Sequence, residues 1–309
     1  MTTSEKTLTG YLTPEGFEND LKVEISLHPH IKCIHQWQRL FLVQGPPQNL
    51  AWAQLTLKNP QIMKISSIGD AAKLLKTQKC FWSPYLFHLH RRGTLIQEKL
   101  NKIPNTDYAF LQMIPNKKWG LWTLLSENEI LFSSETNSAL PSGEIHFQET
   151  KEAPSRAYLK LWEFFTTKQI YPQKGESCID LGSCPGGWTW VLANLGVKVI
   201  SVDTAPIDEK LLKNPQVQFL KKDAFKLKPD DVPPMDWVFS DIICTPARLY
   251  ELVQVWLQSG RVKNMVCTIK FKGETDFATL SLFSQIPGSG IVHLNHNKHE
   301  VTWFRLNPS

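Results

Sequence analysis

The chain has 309 residues, 42% of them hydrophobic and 20% charged, and its formal net charge is +5 at neutral pH. This length can bury one large hydrophobic core or two modest ones, so we expect a globular protein with two domains. No apolar run approaches the ~20 residues that span a bilayer, and residues 1–6 are polar, so we expect a cytoplasmic protein with no membrane partner. The positive charge is compatible with nucleic-acid binding but does not by itself indicate it.

The N-terminal half has a mixed pattern that predicts a smaller α+β domain over residues 1–140. The predicted elements, in chain order, are a strand at residues 7–12, a helix at 13–27, a strand at 39–43, a short helix at 48–57 and a helix at 68–77. The polar stretch Asn-Ser-Ala-Leu-Pro-Ser-Gly at residues 137–143 is typical of a linker and ends this domain.

From residue 150 to residue 309, strand and helix patterns alternate at the spacing of βαβ units, which predicts a mainly parallel sheet with helices on both faces. The strand candidates are residues 178–181, 198–202, 217–220, 236–241, 264–271, 291–296 and 301–306. Residues 297–300 join the last two candidates and are too few for a crossover helix, so we predict an antiparallel hairpin there.

The cysteines and histidines do not show metal-ligand spacing. None of the six cysteines forms a C-x-x-C pair, and none of the nine histidines forms an H-x-x-x-H pair. We therefore expect reduced core thiols and no metal. The cysteines are Cys33, Cys80, Cys178, Cys184, Cys244 and Cys267.

Residues 180–189, Asp-Leu-Gly-Ser-Cys-Pro-Gly-Gly-Trp-Thr, form a glycine-rich turn between a predicted strand and a predicted helix. The glycines let a ligand approach the backbone, and the amides at the helix start favour negative charge. The order differs from the G-x-G-x-x-G of dinucleotide folds, which argues against NAD. Asp203 and Asp223 follow the next two strands, where they suit ribose hydroxyls and an adenine amino group.

Together these features predict an S-adenosylmethionine pocket, although the glycines alone would also fit an ordinary strand-to-helix turn. The predicted cofactor contacts are Asp180, Gly182, Ser183, Pro185, Gly186, Gly187, Trp188, Asp203, Asp223 and Asp241.

The string D-L-G-x-x-P-G-G-W-T at residues 180–189 resembles the FtsJ-type family of RNA ribose 2'-O-methyltransferases. Residues 153–161 and 246–248 resemble the branch that methylates a cytidine in bacterial large-subunit (23S) rRNA. The resemblance covers about residues 152–306. For residues 150–309 it implies a Rossmann-like class I methyltransferase domain, with an antiparallel last strand, that uses S-adenosylmethionine. It also implies 23S rRNA as the partner, and we expect a monomer.

Four charged residues match the catalytic tetrad of that family in order and in place. They are Lys160, Asp241, Lys270 and Glu300. The resemblance implies that Lys270 takes or stabilises the proton of the ribose hydroxyl. Lys160 and Glu300 would orient the ribose and Lys270, and Asp241 would link the tetrad to the cofactor methyl.

The N-terminal half resembles a known RNA-binding module more weakly. Residues 12–18 are similar to the start of the N-terminal region in THUMP-bearing RNA-modifying enzymes, but the half is short, so a reduced THUMP-like domain is expected. Basic and aromatic residues also alternate there, which predicts RNA contact, the alternative being a solvated face over an aromatic core. These residues are Lys73, Lys76, Lys79, Arg91, Arg92, Lys117 and Lys118, with Trp82, Tyr85 and Trp119.

Two other functions stay open at this point. One is a base-directed RNA methyltransferase, which for carbon methylation would use Cys244 or Cys267 as the nucleophile. Amine methylation is disfavoured, because residues 241–246 lack the [N/D]-P-P-[F/Y] loop of those enzymes. The second is a noncatalytic RNA-binding or ribosome-assembly factor that retains the cofactor pocket.

Overall fold

The computed structural model describes residues 7–307, and the chain divides into two compact units. The first unit comprises the chain up to Tyr108 together with Met113–His146, and the second comprises Ala109–Gln112 and the chain from Phe147 onward. The sequence did not predict that residues 109–112 join the second unit, because they carry no glycine, proline or charge pattern. The polar start at residues 1–6 lies outside the described residues.

Up to residue 147 the chain is built mainly of short strands. The elements are, in order, β1 (Leu8–Leu12), α1 (Glu18–Leu27), β2 (Lys32–Trp37), β3 (Leu40–Gln44), β4 (Leu55–Lys58), β5 (Gln61–Lys64), α2 (Ile68–Lys76), β6 (Phe81–Pro84), α3 (His90–Gln97), β7 (Asp107–Tyr108), β8 (Trp119–Ser126), β9 (Glu129–Ser133), β10 (Glu135–Thr136) and β11 (His146–Phe147). One antiparallel sheet has the order β10-β4-β1-β3-β2. A second sheet has the order β5-β9-β8-β6, with β6 and β8 parallel.

Two hydrophobic clusters stabilise the first unit. One packs Trp82 and Trp122 among aliphatic side chains, and the indole N–H of Trp82 donates to the carbonyl of Leu75 at 2.9 Å. The other consists of leucines from β1, β3 and β4 of one sheet and from β8 and β9 of the other. Because the second cluster draws on both sheets, it joins them into one core.

Several predictions for the first unit were wrong. No helix forms over residues 48–57, where β4 pairs with β1 instead, and β2 was not predicted because its residues are mostly exposed and do not alternate. Trp82 and Trp119 are buried, so they pack the core and do not stack bases. The alternative interpretation, an aromatic core beneath basic residues, therefore applies to these two tryptophans.

The second unit is an α/β domain. Its elements are α4 (Tyr158–Lys168), β12 (Ser177–Leu181), α5 (Gly187–Asn194), β13 (Lys198–Asp203), α6 (Glu209–Leu212), β14 (Val217–Lys221), β15 (Met235–Ser240), α7 (Pro246–Gln258), β16 (Val262–Lys270), α8 (Phe277–Ser284), β17 (Ser289–Val292) and β18 (Glu300–Arg305). The sheet order is β14-β13-β12-β15-β16-β18-β17. The first five strands in that order are parallel, and β18 is antiparallel to both β16 and β17. The predicted fold class and final hairpin are confirmed.

The thiols are less uniform than the sequence analysis expected. All six cysteines are free, and Cys178 and Cys267 are buried, but Cys33 and Cys184 are exposed, so those two are not core thiols. Within residues 7–307, no helix has the length and apolar character needed to cross a bilayer.

Candidate active site

A cleft of about 580 Å³ lies at the edge of the second unit where the parallel strands end. Ligands of such sheets bind at this edge because the loops that follow the strands converge there. The residues that line the cleft are Ser155, Ala157, Asp180, Gly182, Ser183, Cys184, Pro185, Gly187, Trp188, Asp203, Thr204, Asp223, Ala224, Phe225, Asp241, Ile242, Ile243, Arg248 and Lys270. They include every predicted cofactor contact except Gly186.

Two glycines of the turn are needed for the backbone conformation and for packing within the protein, besides any contact with a ligand. Gly182 and Gly186 have φ of +76° and +113°, which strains other residues. A Cβ at Gly182 would lie 2.8 Å from the side chain of Ile242, and one at Gly186 would collide with Leu211. Gly186 therefore allows the turn to pack against the protein, and it is the one predicted cofactor contact that does not line the cleft.

Two carboxylates at strand ends are held by backbone amides of their own loops. Asp203 accepts hydrogen bonds from the amides of Cys184 and Ala205, both at 3.0 Å. Asp223 accepts through Oδ1 from the amide of Phe225 at 3.0 Å. Each carboxylate oxygen has two lone pairs, so both groups keep capacity for a ligand. Their roles toward the hydroxyls and the amino group of an adenosine stay predictions.

The carboxylate of Asp180 lies deeper and is the end of a buried hydrogen-bond chain. Thr189 Oγ1 donates to Asp180 Oδ2 at 2.7 Å, Thr189 and Ser201 hydroxyls lie 3.1 Å apart, and Ser201 Oγ donates to Ser183 Oγ at 2.7 Å. Burial, helped by the nearby carboxylates of Asp241 and Asp203 and opposed by hydrogen bonds from Thr189, raises the pKa of Asp180 to about 7. A cation bound beside Asp180 would oppose this shift.

The four residues predicted as a tetrad are brought together by α4, β15, β16 and β18. Lys160 Nζ lies 2.6 Å from Asp241 Oδ1 and 3.0 Å from Glu300 Oε1. Lys270 Nζ lies 3.0 Å from the same Asp241 Oδ1 and donates to the Asp241 carbonyl at 2.6 Å. Two lysines thus share one carboxylate oxygen, and the four charges sum to zero.

The elements around the tetrad explain why its charges can be buried. Helix α4 is buried along almost its whole length, and Lys160 and Glu300 are only 6% and 8% exposed. Pairing of β18 with β16 sets Glu300 directly opposite Lys270. Since each buried charge has an opposite partner within 3.0 Å, the group can remain ionised inside the domain.

The carboxylate of Glu163 on α4 holds the loop that leads into β18, and the sequence analysis missed it. Glu163 accepts hydrogen bonds from the amides of Asn295 and His296 at 2.8 and 3.1 Å. Its Oε2 also lies 2.6 Å from Nδ1 of His296. One face of α4 therefore fixes both this loop, through Glu163, and the start of β18, through Lys160.

Residues 153–270 match the FtsJ-like methyltransferase family. This segment is an FtsJ-like methyltransferase domain. The match includes the glycine turn and three members of the tetrad, and Glu300 lies beyond it. The protein is therefore a methyltransferase that uses S-adenosylmethionine, and the fit of Asp180, Asp203 and Asp223 to a cationic adenosine ligand agrees with that cofactor.

Ribosomal RNA methyltransferases are similar in sequence to this protein over about three quarters of its length. Ribosomal RNA large subunit methyltransferase M of Shewanella sp. (strain ANA-3) is 28% identical over 258 residues, which cover 77% of this chain and 68% of that protein. The protein of the same name from Shewanella oneidensis is 30% identical over 254 residues, which cover 76% and 66%. A solved structure, a putative hemolysin from Streptococcus thermophilus, is 18% identical with a TM-score of 0.41 and covers 52% of this chain and 71% of that one. The chain thus spans about two thirds of the length of these rRNA methyltransferases.

Cofactor affinity should depend on pH because of Asp180. Its pKa of about 7 means that the free methyltransferase binds a proton there below neutrality, and a cationic cofactor binds better to the ionised form. We expect S-adenosylmethionine affinity to fall below pH 7, by up to about ten-fold per pH unit. Calorimetry at pH 6 and 8 measures this, with Asp180→Asn as the control that loses the dependence. Equal parental affinities at both values would contradict the assignment.

Proposed function

We propose that the methyltransferase transfers a methyl group to a ribose 2'-hydroxyl of large-subunit rRNA, most specifically to a cytidine of 23S rRNA. The observation that carries this proposal is the hydrogen-bonded group of Lys160, Asp241, Lys270 and Glu300 beside the cofactor cleft. A poorly acidic hydroxyl needs such a group, because its oxygen must lose or share a proton as it becomes a nucleophile. A ribosomal RNA substrate would place the protein in the cytoplasm, and we expect it to act as a monomer.

The geometry of Lys270 explains how this group would act. An ammonium has three donors, and Lys270 directs two of them to Asp241 Oδ1 and to the Asp241 carbonyl. Since Lys270 also lines the cleft, its remaining position can meet the 2'-oxygen. As an ammonium it would stabilise negative charge developing on that oxygen, and as an amine it would accept the proton.

The other members of the group hold Lys270 and the ribose in place. The carboxylate of Asp241 forms ion pairs with both lysines, so it fixes Lys270 relative to Lys160. Lys160 in turn fixes Glu300 through a second ion pair. Bound S-adenosylmethionine would supply an electrophilic methyl group on its sulfonium. In-line placement of the hydroxyl is then the main requirement, and a rigid, buried set of charges meets it.

An RNA target that lacks the 2'-hydroxyl tests the proposed function. We expect rRNA carrying 2'-deoxycytidine at the mapped methylation site to accept no methyl group, whereas the matched all-ribose RNA is methylated. Transfer of tritiated methyl groups measures both. Equal transfer to the deoxy RNA would exclude 2'-O chemistry and favour a base-directed reaction.

The structure weighs against the carbon-methylating alternative. Burial raises the pKa of Cys244 to about 11, despite the opposing charges of Arg248 and Lys270, and burial also raises the pKa of Cys267. Neither thiol would therefore form a nucleophilic thiolate at neutral pH. The structure also gives little support to a noncatalytic factor. Such a factor would need only the cofactor pocket, and the buried charges of Lys160 and Glu300 would have no role in it.

The first unit, as a reduced THUMP-like domain, is proposed to capture RNA through its phosphates. Three lysines, Lys73, Lys76 and Lys99, line one surface depression of about 630 Å³ beside α2, and Arg91 and Arg92 line another beside α3. Lys73 acts electrostatically on Asp70, but within residues 7–307 none of these side chains lies within 4.0 Å of a carboxylate oxygen. They are thus available for phosphates, whereas the buried tryptophans are not available for bases.

Replacing Arg91 and Arg92 together with Gln should weaken RNA binding and reduce its dependence on salt. Each lost phosphate contact should flatten the log–log slope of affinity against salt by about 0.7–0.9, and cofactor affinity should not change. Binding isotherms at several salt concentrations measure the slope. Lys32→Gln with Lys64→Gln is the control, since these exposed lysines lie on β2 and β5. Parallel lines for the parent and the arginine variant would favour a structural role for this unit.

A further inference from the structure

Ile243, between β15 and α7, and Arg248, at the start of α7, line the cleft and have been given no role in cofactor binding or in the tetrad. Ile243 is 87% exposed although it is large and apolar. Arg248 lies in the first turn of α7, where its backbone N–H donates to Oγ1 of the capping residue Thr245 at 3.4 Å. Both line the same cleft as Asp241 and Lys270, so a ligand in that cleft can contact them together with the tetrad.

The guanidinium of Arg248 is held in a defined orientation. It lies 3.7 Å from the ring centroid of Phe225, which is a stacking distance. Stacking uses the face of the guanidinium and leaves the N–H groups at its edge free to donate. Although the cleft contains four carboxylates, none of them pairs with Arg248 in the described part of the chain. The site thus presents an oriented cation without an internal anion.

Arg248 and Lys270 line the same cleft. The positive charges of both side chains oppose the rise in the pKa of Cys244, so both act on that part of the cleft. Lys270 is the residue proposed to meet the target hydroxyl. An anion bound to Arg248 would therefore lie near the target ribose, and in a nucleic acid that anion is a phosphate of the same strand.

We propose that Ile243 and Arg248 form the docking site of the catalytic domain for the RNA strand at the target nucleotide. The free edge of Arg248 matches two oxygens of a phosphate, and the exposed side chain of Ile243 covers the apolar face of a base. This inference rests on the proposed function. It assigns to the catalytic domain its own binding site for the RNA strand, separate from the proposed capture of RNA by the first unit.

The test compares RNA binding and cofactor binding in three variants. Arg248→Gln should raise the dissociation constant for target RNA about ten-fold or more and flatten its salt slope by about 0.7–0.9, with S-adenosylmethionine affinity unchanged. Ile243→Ala should raise the constant for RNA without altering the slope. Arg305→Gln is the control, because Arg305 pairs with Met265 while Glu300 pairs with Lys270. Five residues of strand place it about 17 Å from the cleft edge.

Arg248→Lys is a second substitution at the same position. It keeps the positive charge and removes the planar guanidinium. It should retain the parental salt slope and show an intermediate loss of RNA affinity. A loss of cofactor affinity equal to the loss of RNA affinity in Arg248→Gln would assign the arginine to S-adenosylmethionine and overturn the proposal. Parental RNA affinity and slope in Arg248→Gln would overturn it too. The test measures binding and does not depend on methyl transfer. Its result can therefore be interpreted even if the methylated atom is not the 2'-oxygen.

Discussion

Replacing Lys270 with Met should reduce methyl transfer roughly a hundred- to ten-thousand-fold, the usual range for loss of a general acid or base. The side chain contacts the Asp241 carboxylate and carbonyl and otherwise faces the cleft, so its loss removes the group proposed to meet the 2'-oxygen. Affinity for S-adenosylmethionine should stay close to the parental value, since the role belongs to the transition state. Single-turnover transfer and calorimetry measure the two quantities.

The same strand offers a matched control for this variant. Lys263 lies at the opposite end of β16 and forms an ion pair with Asp236 at 2.6 Å. Lys263→Met should keep the parental rate. A Lys270→Met protein that binds cofactor and still transfers methyl groups at the parental rate would remove Lys270 from the chemistry.

Replacing Lys160 with Met should both inactivate the methyltransferase and destabilise the second unit. Lys160 is 6% exposed and is the cation that pairs with the buried carboxylate of Glu300, whereas Asp241 would keep Lys270. Removing one partner of a buried ion pair costs about 3–5 kcal/mol, because the remaining charge loses its compensation. Urea unfolding followed by tryptophan fluorescence measures the loss.

A double variant separates the two effects of Lys160. Lys160→Met with Glu300→Gln removes the uncompensated charge, so stability should partly recover while methyl transfer does not. Lys213→Met is the surface control, since its pair with Glu209 is 3.9 Å long and exposed, and exposed pairs contribute at most about 1 kcal/mol. Equal stability of parent and Lys160→Met would contradict the stabilising role assigned to the buried pair of Lys160 and Glu300.

The second unit was predicted from sequence more completely than the first because its strands are short, apolar and separated by helices. Six of the seven strand candidates correspond to β12–β16 and β18 with small changes at the ends, whereas the candidate at 291–296 shares only residues 291–292 with β17. In the first unit, β2 has exposed residues that do not alternate, and β4 alternates over only four residues, so neither shows the sustained alternation that marks a half-buried strand. Local pattern carries no information about which segment a strand will pair with, and that pairing decided both cases.

The candidate site also has features that the sequence predicts and features that it does not. Charged residues at strand ends could be placed on one edge from topology alone, and the structure brings Lys160, Asp241, Lys270 and Glu300 together there. The close approach of Leu211 to Gly186 and the contacts of Glu163 with residues 295–296 could not be predicted, since they depend on loop packing across the chain.

The ion pair between Lys160 and Glu300 joins positions 140 residues apart, which has a consequence for synthesis of the protein. A ribosome releases the chain from its N-terminus, so residues 155–270, which line the cofactor cleft, emerge before β18. Glu300 belongs to β18, and α4 can pair with it only after residue 300 has left the ribosome. A nascent chain therefore holds the residues of the cofactor cleft before it holds a complete set of charges for catalysis. Competence for methylation would then be acquired later in translation than the cofactor cleft.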